Sequence, residues 1–295
     1  MLNIKPLFFL IFLVMLPFVI EAQQEKMAAA LNYLQKGELD NAKVAIDDVV
    51  LDVSTANDGQ AWYIRGFVYK TIYNTREKSN KQSPARIIAV ESFKKSNALD
   101  TSTQNVSENV KSIKYIVSTF FNDVKLSIDS VDYEIAVLNF EKFKLYYPLV
   151  DPSKENLKQR EIEFKLALAT LYTEMYKSKR DVKFFNLTKS TYSYLLTLDP
   201  NNISANYNMG ILYYNQAVDL INDSDYGIDF KALNEIQDNA IVILKQALPF
   251  AEKAHELEPK RRETLVALSG IYFTLNEVEK YNSFQQKLDE IEKEK

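Results

Sequence analysis

Chemistry needs side chains that ionise, attack or coordinate, and this 295-residue chain arranges few of them usefully. It has no cysteine, which excludes thiolate catalysis and a disulfide framework. It has one histidine, His255 beside Ala254, a surface or groove-edge position on a helix. A lone imidazole cannot make a two-histidine metal site. The six glycines never cluster into a phosphate loop, and neither H-E-x-x-H nor G-x-S-x-G occurs. Acids are plentiful, Asp47 beside Asp48 among them, yet no pair stands apart from what solvated helix faces explain. One loop departs from this. "DSDYGID" sets Asp223, Asp225 and Asp229 around Gly227, alternating carboxylates with a turn glycine, the ingredients of a Ca²⁺ loop. The further acid and the distant Glu of the calcium motif are missing, and turn formation with N-capping of the next helix uses the same residues. The expectation is therefore no enzyme, no catalytic residue and no cofactor, with this faint Ca²⁺ candidate as the one metal site to test.

Net charge is −4, and nucleic-acid recognition usually needs a basic face. The lysines at 177, 179, 183 and 189, with Arg180 among them, fit a solvated helix surface better, so no nucleic-acid partner is expected. The N-terminus reads as an address. Lys5 precedes an apolar run of 14 residues, Leu7 to Ile20, too short to span about 30 Å of hydrocarbon and suited to a signal-peptide core. Ile20 and Ala22 take the −3 and −1 positions of a cleavage after Ala22. Residues 1–22 are thus expected to be a signal peptide on an exported protein, periplasmic or secreted, with no integral span once it is removed. An uncleaved anchor is the rival.

The elements that must carry any site are helices. Only 6 Gly and 8 Pro punctuate the chain, too few for an all-β fold of this length. In "AWYIRGFVYK" a glycine sits inside helical sequence, at a cost of about 1 kcal/mol relative to alanine. The spacing recurs. Gly66 and Tyr69, Gly210 and Tyr213, Ala30 and Tyr33, Ala169 and Tyr172, and Ser269 and Tyr272 all read small-x-x-Tyr. A second pattern follows each: Ala136 with Phe140, Phe143 and Pro148; Ala247 with Ala251, Ala254 and Pro259; Ala89 with Phe93; Ala42 with Ile46; Thr188 with Tyr192 and Pro200.

Together these resemble the tetratricopeptide repeat, whose helix–turn–helix unit of 34 residues reads W-x2-L-G-x2-Y, then A-x3-F, then P. Trp62, Gly66 and Tyr69 match its first helix, with Arg65 where Leu is usual, and Met209, Gly210 and Tyr213 repeat the phase. The resemblance covers residues 23–295 and implies an all-α solenoid of about six helix–turn–helix pairs in a right-handed superhelix. The pairs are expected near 25–53, 58–99, 104–147, 155–198, 203–257 and 261–293. Residues of the packing pattern are Trp62, Gly66, Tyr69, Ala136, Phe140, Met209, Gly210, Tyr213, Ala247, Ala254 and Tyr272. A small residue at the crossing of a pair lets the two backbones approach, and the tyrosine fills the space beside it. The third pair's first helix lacks the signature, Pro249 should bend a long second helix, and the second-helix anchors are 47 to 59 residues apart until the last interval of 34.

The resemblance also implies that first helices line a concave groove for a protein or peptide partner. The lining residues on this alignment are Gln60, Tyr63, Phe67 and Lys70 in the second pair. In the fourth they are Glu163, Leu166, Thr170, Thr173 and Glu174, in the fifth Ser204, Tyr207, Ile211, Tyr214 and Asn215, and in the sixth Glu263, Val266, Phe273 and Thr274. The Lys and Asn of the family's carboxylate clamp are absent, since those positions hold Tyr63 with Phe67 and Tyr207 with Ile211. The expected role is a non-enzymatic interaction scaffold of the bacterial envelope. The alternative is a binding module for a small peptide or glycan.

Overall fold

The computed structural model describes residues 24–100, 103–223 and 229–293. The expected signal segment lies outside the described residues, as do Asp225 and Gly227 of the acidic loop. Among the described residues every regular element is helical: α1 (24–35), α2 (Leu39–Leu51), α3 (Gly59–Ile72), α4 (Pro84–Leu99), α5 (Thr103–Asp129), α6 (Tyr133–Tyr146), α7 (Lys154–Lys179), α8 (Val182–Leu198), α9 (Ile203–Asn222), α10 (Phe230–Leu257), α11 (Arg262–Thr274) and α12 (Val278–Lys293). The chain divides into two compact units, up to Leu157 and from Lys158 on.

Local sequence sets these ends. Asp58, Asp132, Asp181, Asn202 and Asp229 each turn a side-chain oxygen onto the first-turn amides of the following helix, satisfying donors that have no intrahelical partner. Gly37, Val131 and Asn276 end α1, α5 and α11 in the left-handed region, at φ of 77°, 61° and 59°. The next residue's amide then reaches back across the turn, as from Glu38 to the Tyr33 carbonyl. That reversal folds each helix onto its successor within three residues.

In the first unit, helices pack on their chain neighbours through narrow apolar stripes. On α5 the stripe is Ile113, Ile116, Val117, Phe120 and Val124, all nearly inaccessible and spaced three and four apart. Val117 and Phe120 stand where other first helices carry the small residue and the tyrosine, which hid this helix's register from the motif. In the second unit one cluster joins Ala169, Tyr192, Met209, Leu212, Tyr213, Ala247, Ala251, Leu268, Ile271 and Tyr272. α10 runs unbroken through Pro249, which is exposed.

The glycines have two different reasons. A Cβ on Gly210 would lie 3.2 Å from both the Cβ and the backbone nitrogen of Ala251, so α9 and α10 meet backbone to backbone. A Cβ on Gly66 would lie 2.6 Å from the ring of Phe93, which is fully buried. There the small residue makes room for an aromatic ring, not for the backbone approach the sequence led us to expect. Trp62 also differs from its expected packing role. It is half-buried, donates its indole N–H to the Ala56 carbonyl at 2.8 Å and staples the loop ahead of α3. The other packing residues, Tyr69, Ala136, Phe140, Met209, Tyr213, Ala247, Ala254 and Tyr272, are all buried.

His255 lies on α10 against α12. Its ring meets the Phe284 edge at 5.2 Å, and Lys287 Nζ lies 3.0 Å from its Nε2. Lysine only donates, so Nε2 accepts and the imidazole is neutral. Burial first, then the Lys287 charge, holds its pKa below the ordinary 6.5.

Two measurements follow from this packing. Gly66→Ala should destabilise the protein by about 1–3 kcal/mol, the scale of overpacking, despite alanine's better helix propensity. In a double-mutant cycle Phe93→Leu should recover part of that loss, and equal stability of Gly66→Ala and the parent would remove the steric explanation. For His255, the unfolded chain takes up its proton near 6.5 and the folded chain only at lower pH. The neutral imidazole's contribution is thus complete above 6.5 and is lost as pH falls from there through the lower folded pKa. Thermal melts between about pH 7 and pH 5 should show this decline, and Lys287→Met should flatten it. Parallel profiles for the two proteins would exclude the Lys287 contribution.

Candidate functional site

The second unit holds a cavity of about 350 Å³ walled by α7, α8 and α9. Each wall is fixed locally. α7 ends at Arg180, in the left-handed region at φ 53°. Asp181 starts α8 by accepting from the Lys183 amide at 2.8 Å. Asn202 starts α9 by accepting from Ala205 at 3.0 Å, and the Asn206 amide ties the same turn to the Pro200 and Asn202 carbonyls.

Thr170, Thr173 and Glu174 line one side, and Tyr207, Ile211 and Asn215 the other. These are groove positions the alignment named in two successive pairs, and the fold brings them onto one cavity. Sequence reasoning missed Tyr192, which projects from the second helix α8 into the floor. It is 2% exposed, and burial pushes its hydroxyl pKa up while hydrogen bonds with Thr170, Thr173 and Asn208 oppose that. Both threonine hydroxyls also donate to their own helix, to the Leu166 and Ala169 carbonyls. The only signal was its place four residues after Thr188, where the repeat wants an aromatic core residue.

The rim is charged but internally matched. Lys177 donates to Glu174 at 2.9 Å and Arg180 to Asp219 at 2.6 Å. Arg261 at the N-cap of α11 stacks 4.4 Å over the Tyr207 ring, whose hydroxyl burial pushes up in pKa. Tyr214 turns the other way. It packs on the core, and a Cβ on Gly270 of α11 would lie 2.8 Å from its hydroxyl. Asn215 is exposed at the cavity wall.

The first unit treats its groove positions differently. Gln60 accepts from Asn105 at 3.1 Å, and Lys70 donates to Ser112 at 3.0 Å, both across to α5. The Lys70 ammonium sits 5.7 Å from the rings of both Phe67 and Tyr115, and burial lowers its pKa. Tyr63 packs against Phe67 and Phe93 at 6.4 Å each. Gln60 and Lys70 therefore bridge α3 to α5, Tyr63 joins α3 to α4, and Phe67 stays 40% exposed.

Of the acidic-loop trio, Asp229 accepts from the Ala232 amide at 2.8 Å as the N-cap of α10, and Asp223 ends α9. Among the described residues no three His, Cys, Asp or Glu side chains gather closely enough to hold a metal ion. None of the described helices is long and apolar enough to cross a membrane.

Packing and pattern together define a class: an all-α protein of helical-hairpin repeats, tetratricopeptide-like in how a small residue meets the second helix. No family model matches the chain, and no curated protein matches it. Among solved structures it is similar to the Pseudomonas aeruginosa pilF protein, at 15% identity over 93% of this chain and 98% of that one, with a TM-score of 0.33. It is also similar to PilW, described as a widely conserved type IV pilus biogenesis factor, at 13% identity over 90% and 92% with a TM-score of 0.28. The P58(IPK) TPR domain matches at 13% identity over 92% and 98%, with a TM-score of 0.25.

Proposed function

We propose that the protein is a non-enzymatic interaction scaffold that holds a segment of a protein partner in the α7–α9 cavity. The observation that carries this is the convergence of Thr170, Thr173, Glu174, Tyr207, Ile211 and Asn215 on one cavity with a matched rim. Tyr207 and Ile211 offer contact area, and large rigid side chains give binding energy at low entropic cost. Because Glu174–Lys177 and Arg180–Asp219 are already paired, the rim does not demand a charged ligand. The cavity's polar groups are amides and hydroxyls, suited to a peptide backbone. Nothing there pairs a nucleophile with a base. Setting the scaffold in a bacterial envelope rests on the N-terminal apolar run and on the cleavage after Ala22 that the sequence leads us to expect.

Photo-crosslinking in the native cell tests the reading. A crosslinkable residue replaces Asn215, at the cavity, with a control at exposed Lys245 on α10. The expected result is one reproducible protein captured from 215, not from 245, and competed by excess unmodified protein. If 215 captures nothing from folded protein while soluble peptides or glycans raise the melting temperature, the cavity serves a small ligand and the scaffold reading fails.

A further inference from the structure

A second cavity, of about 140 Å³, lies in the first unit between α4, α5 and α6, on residues the groove does not use. Its apolar walls are Ile87, Phe120 and Leu138, and its cations are Lys81, Arg86 and Lys142. Arg86 is fully buried. Its Nη1 donates to Asp123 at 2.7 Å and its Nη2 to the Lys81 carbonyl and to Asn139 Oδ1. The guanidinium lies 4.2 Å over the Phe120 ring, and its Nε–H finds no acceptor among the described residues. Asp123 balances this charge, so the surplus belongs to the two lysines. Lys81 reaches a neutral partner, Ser127 Oγ at 3.0 Å. Lys142 has no carboxylate partner among the described residues.

The start of α4 carries a counter-charge of its own. Ser83, at its N-cap position and lining the cavity, makes no capping hydrogen bond; its hydroxyl instead donates to Glu77 at 2.6 Å. The Glu77 carboxylate thus sits at this helix end and offsets its partial positive charge, and Pro84 at the first position has no amide to offer. Lys81 and Lys142 are what favour an anion here, and the three apolar walls require that it carry a hydrocarbon part. Liquid water occupies about 30 Å³ per molecule, so the space equals about five waters, or one branched acid of four or five carbons.

We propose that this cavity binds a short aliphatic carboxylate. Its hydrocarbon lies against Ile87, Phe120 and Leu138, and its carboxylate meets Lys81 and Lys142. The carboxylate comes from a free acid or from the C-terminal residue of a chain, and the site's chemistry is the same for both. It is independent of the groove reading.

Methyl NMR of the isolated protein, following Ile87 and Leu138, tests this with 3-methylbutanoate, its amide and inorganic phosphate as probes. The acid should give saturable shifts at both residues, with the amide and phosphate at least about tenfold weaker, the scale of one lost charge contact. The Lys81→Gln/Lys142→Gln double variant, confirmed folded by its unchanged melting temperature, should weaken the acid by about tenfold as well. An amide or phosphate that binds as tightly as the acid overturns the proposal. So does an unaffected double variant, or the absence of any saturable shift. An acetylated peptide ending in valine with a free carboxylate separates the sources. Tighter binding than the free acid points to a chain terminus, and weaker binding to a free acid; either order supports the site.

Discussion

The hairpins depend on crossing points where the helices come too close for two ordinary side chains. At Gly210 and Ala251 both residues are small and the backbones meet. At Gly66 and Phe93 one helix gives up its side chain so that the other can bury a whole ring. A fully buried phenylalanine is worth about 1.5–3 kcal/mol by transfer, more than the roughly 1 kcal/mol that glycine costs a helix interior. The exchange is favourable, and it fixes which residue faces which. Once the crossing is set, the residues three and four positions on have only one direction to face.

The tyrosine three residues after the small position does more than fill space. Tyr69 on α3 donates to Asp47 on α2 at 2.6 Å, and Tyr272 on α11 donates to Glu252 on α10. In both cases the acid belongs to the second helix of the preceding pair, so the phenol ties one pair to the next. Burial, then the carboxylate, pushes each phenol pKa up, which keeps the donor protonated. Arg65 and Lys43 neutralise Asp47 from two sides, at 2.8 and 3.2 Å. Arg65 stands where the repeat pattern carries Leu, and its position here gives that departure a purpose. The same residue pattern thus supplies contact within a pair and connection between pairs.

How much of this was legible in the sequence divides along the same line. The all-α class was legible because small-x-x-Tyr recurs in phase and turn residues are scarce. Phe93 as the reason for Gly66 was not, because spacing says that a position must be small and not what presses on it. The acid partners left a faint signal, an acid five residues after the second-helix anchor in these two pairs, Asp47 after Ala42 and Glu252 after Ala247, where Ala89 and Thr188 are followed at that distance by Lys94 and Ser193. Among many surface acids it carries no weight without the fold. On α5, Val117 and Phe120 fill the motif's positions with residues the motif does not name. For the site, Tyr207, Ile211 and Asn215 could be placed by alignment alone. Tyr192 could not, since it is a buried core residue of a second helix that also lines the cavity. Gln60 and Lys70 were expected to line the groove and instead bond to α5, and their partners Asn105 and Ser112 are ordinary polar residues in sequence.

The two cavities differ in how their charges are spent, and that difference bears on what each can hold. Around the larger one, every rim charge has its counter-charge on a neighbouring turn or helix, so an incoming ion would compete with a pair already made. Exposed pairs of that kind contribute only about 0–1 kcal/mol each, yet they cancel the local field. Selection there falls to shape and to hydrogen bonds from Asn215, Asn208 and Tyr192. Around the smaller one, the buried Arg86 is balanced by Asp123 while Lys81 and Lys142 keep their charge beside apolar walls. A cation near low-dielectric surface acts over a longer reach than one in bulk water. The same kind of helix packing therefore yields a neutral site in one unit and a positive one in the other, through the placement of two or three acids.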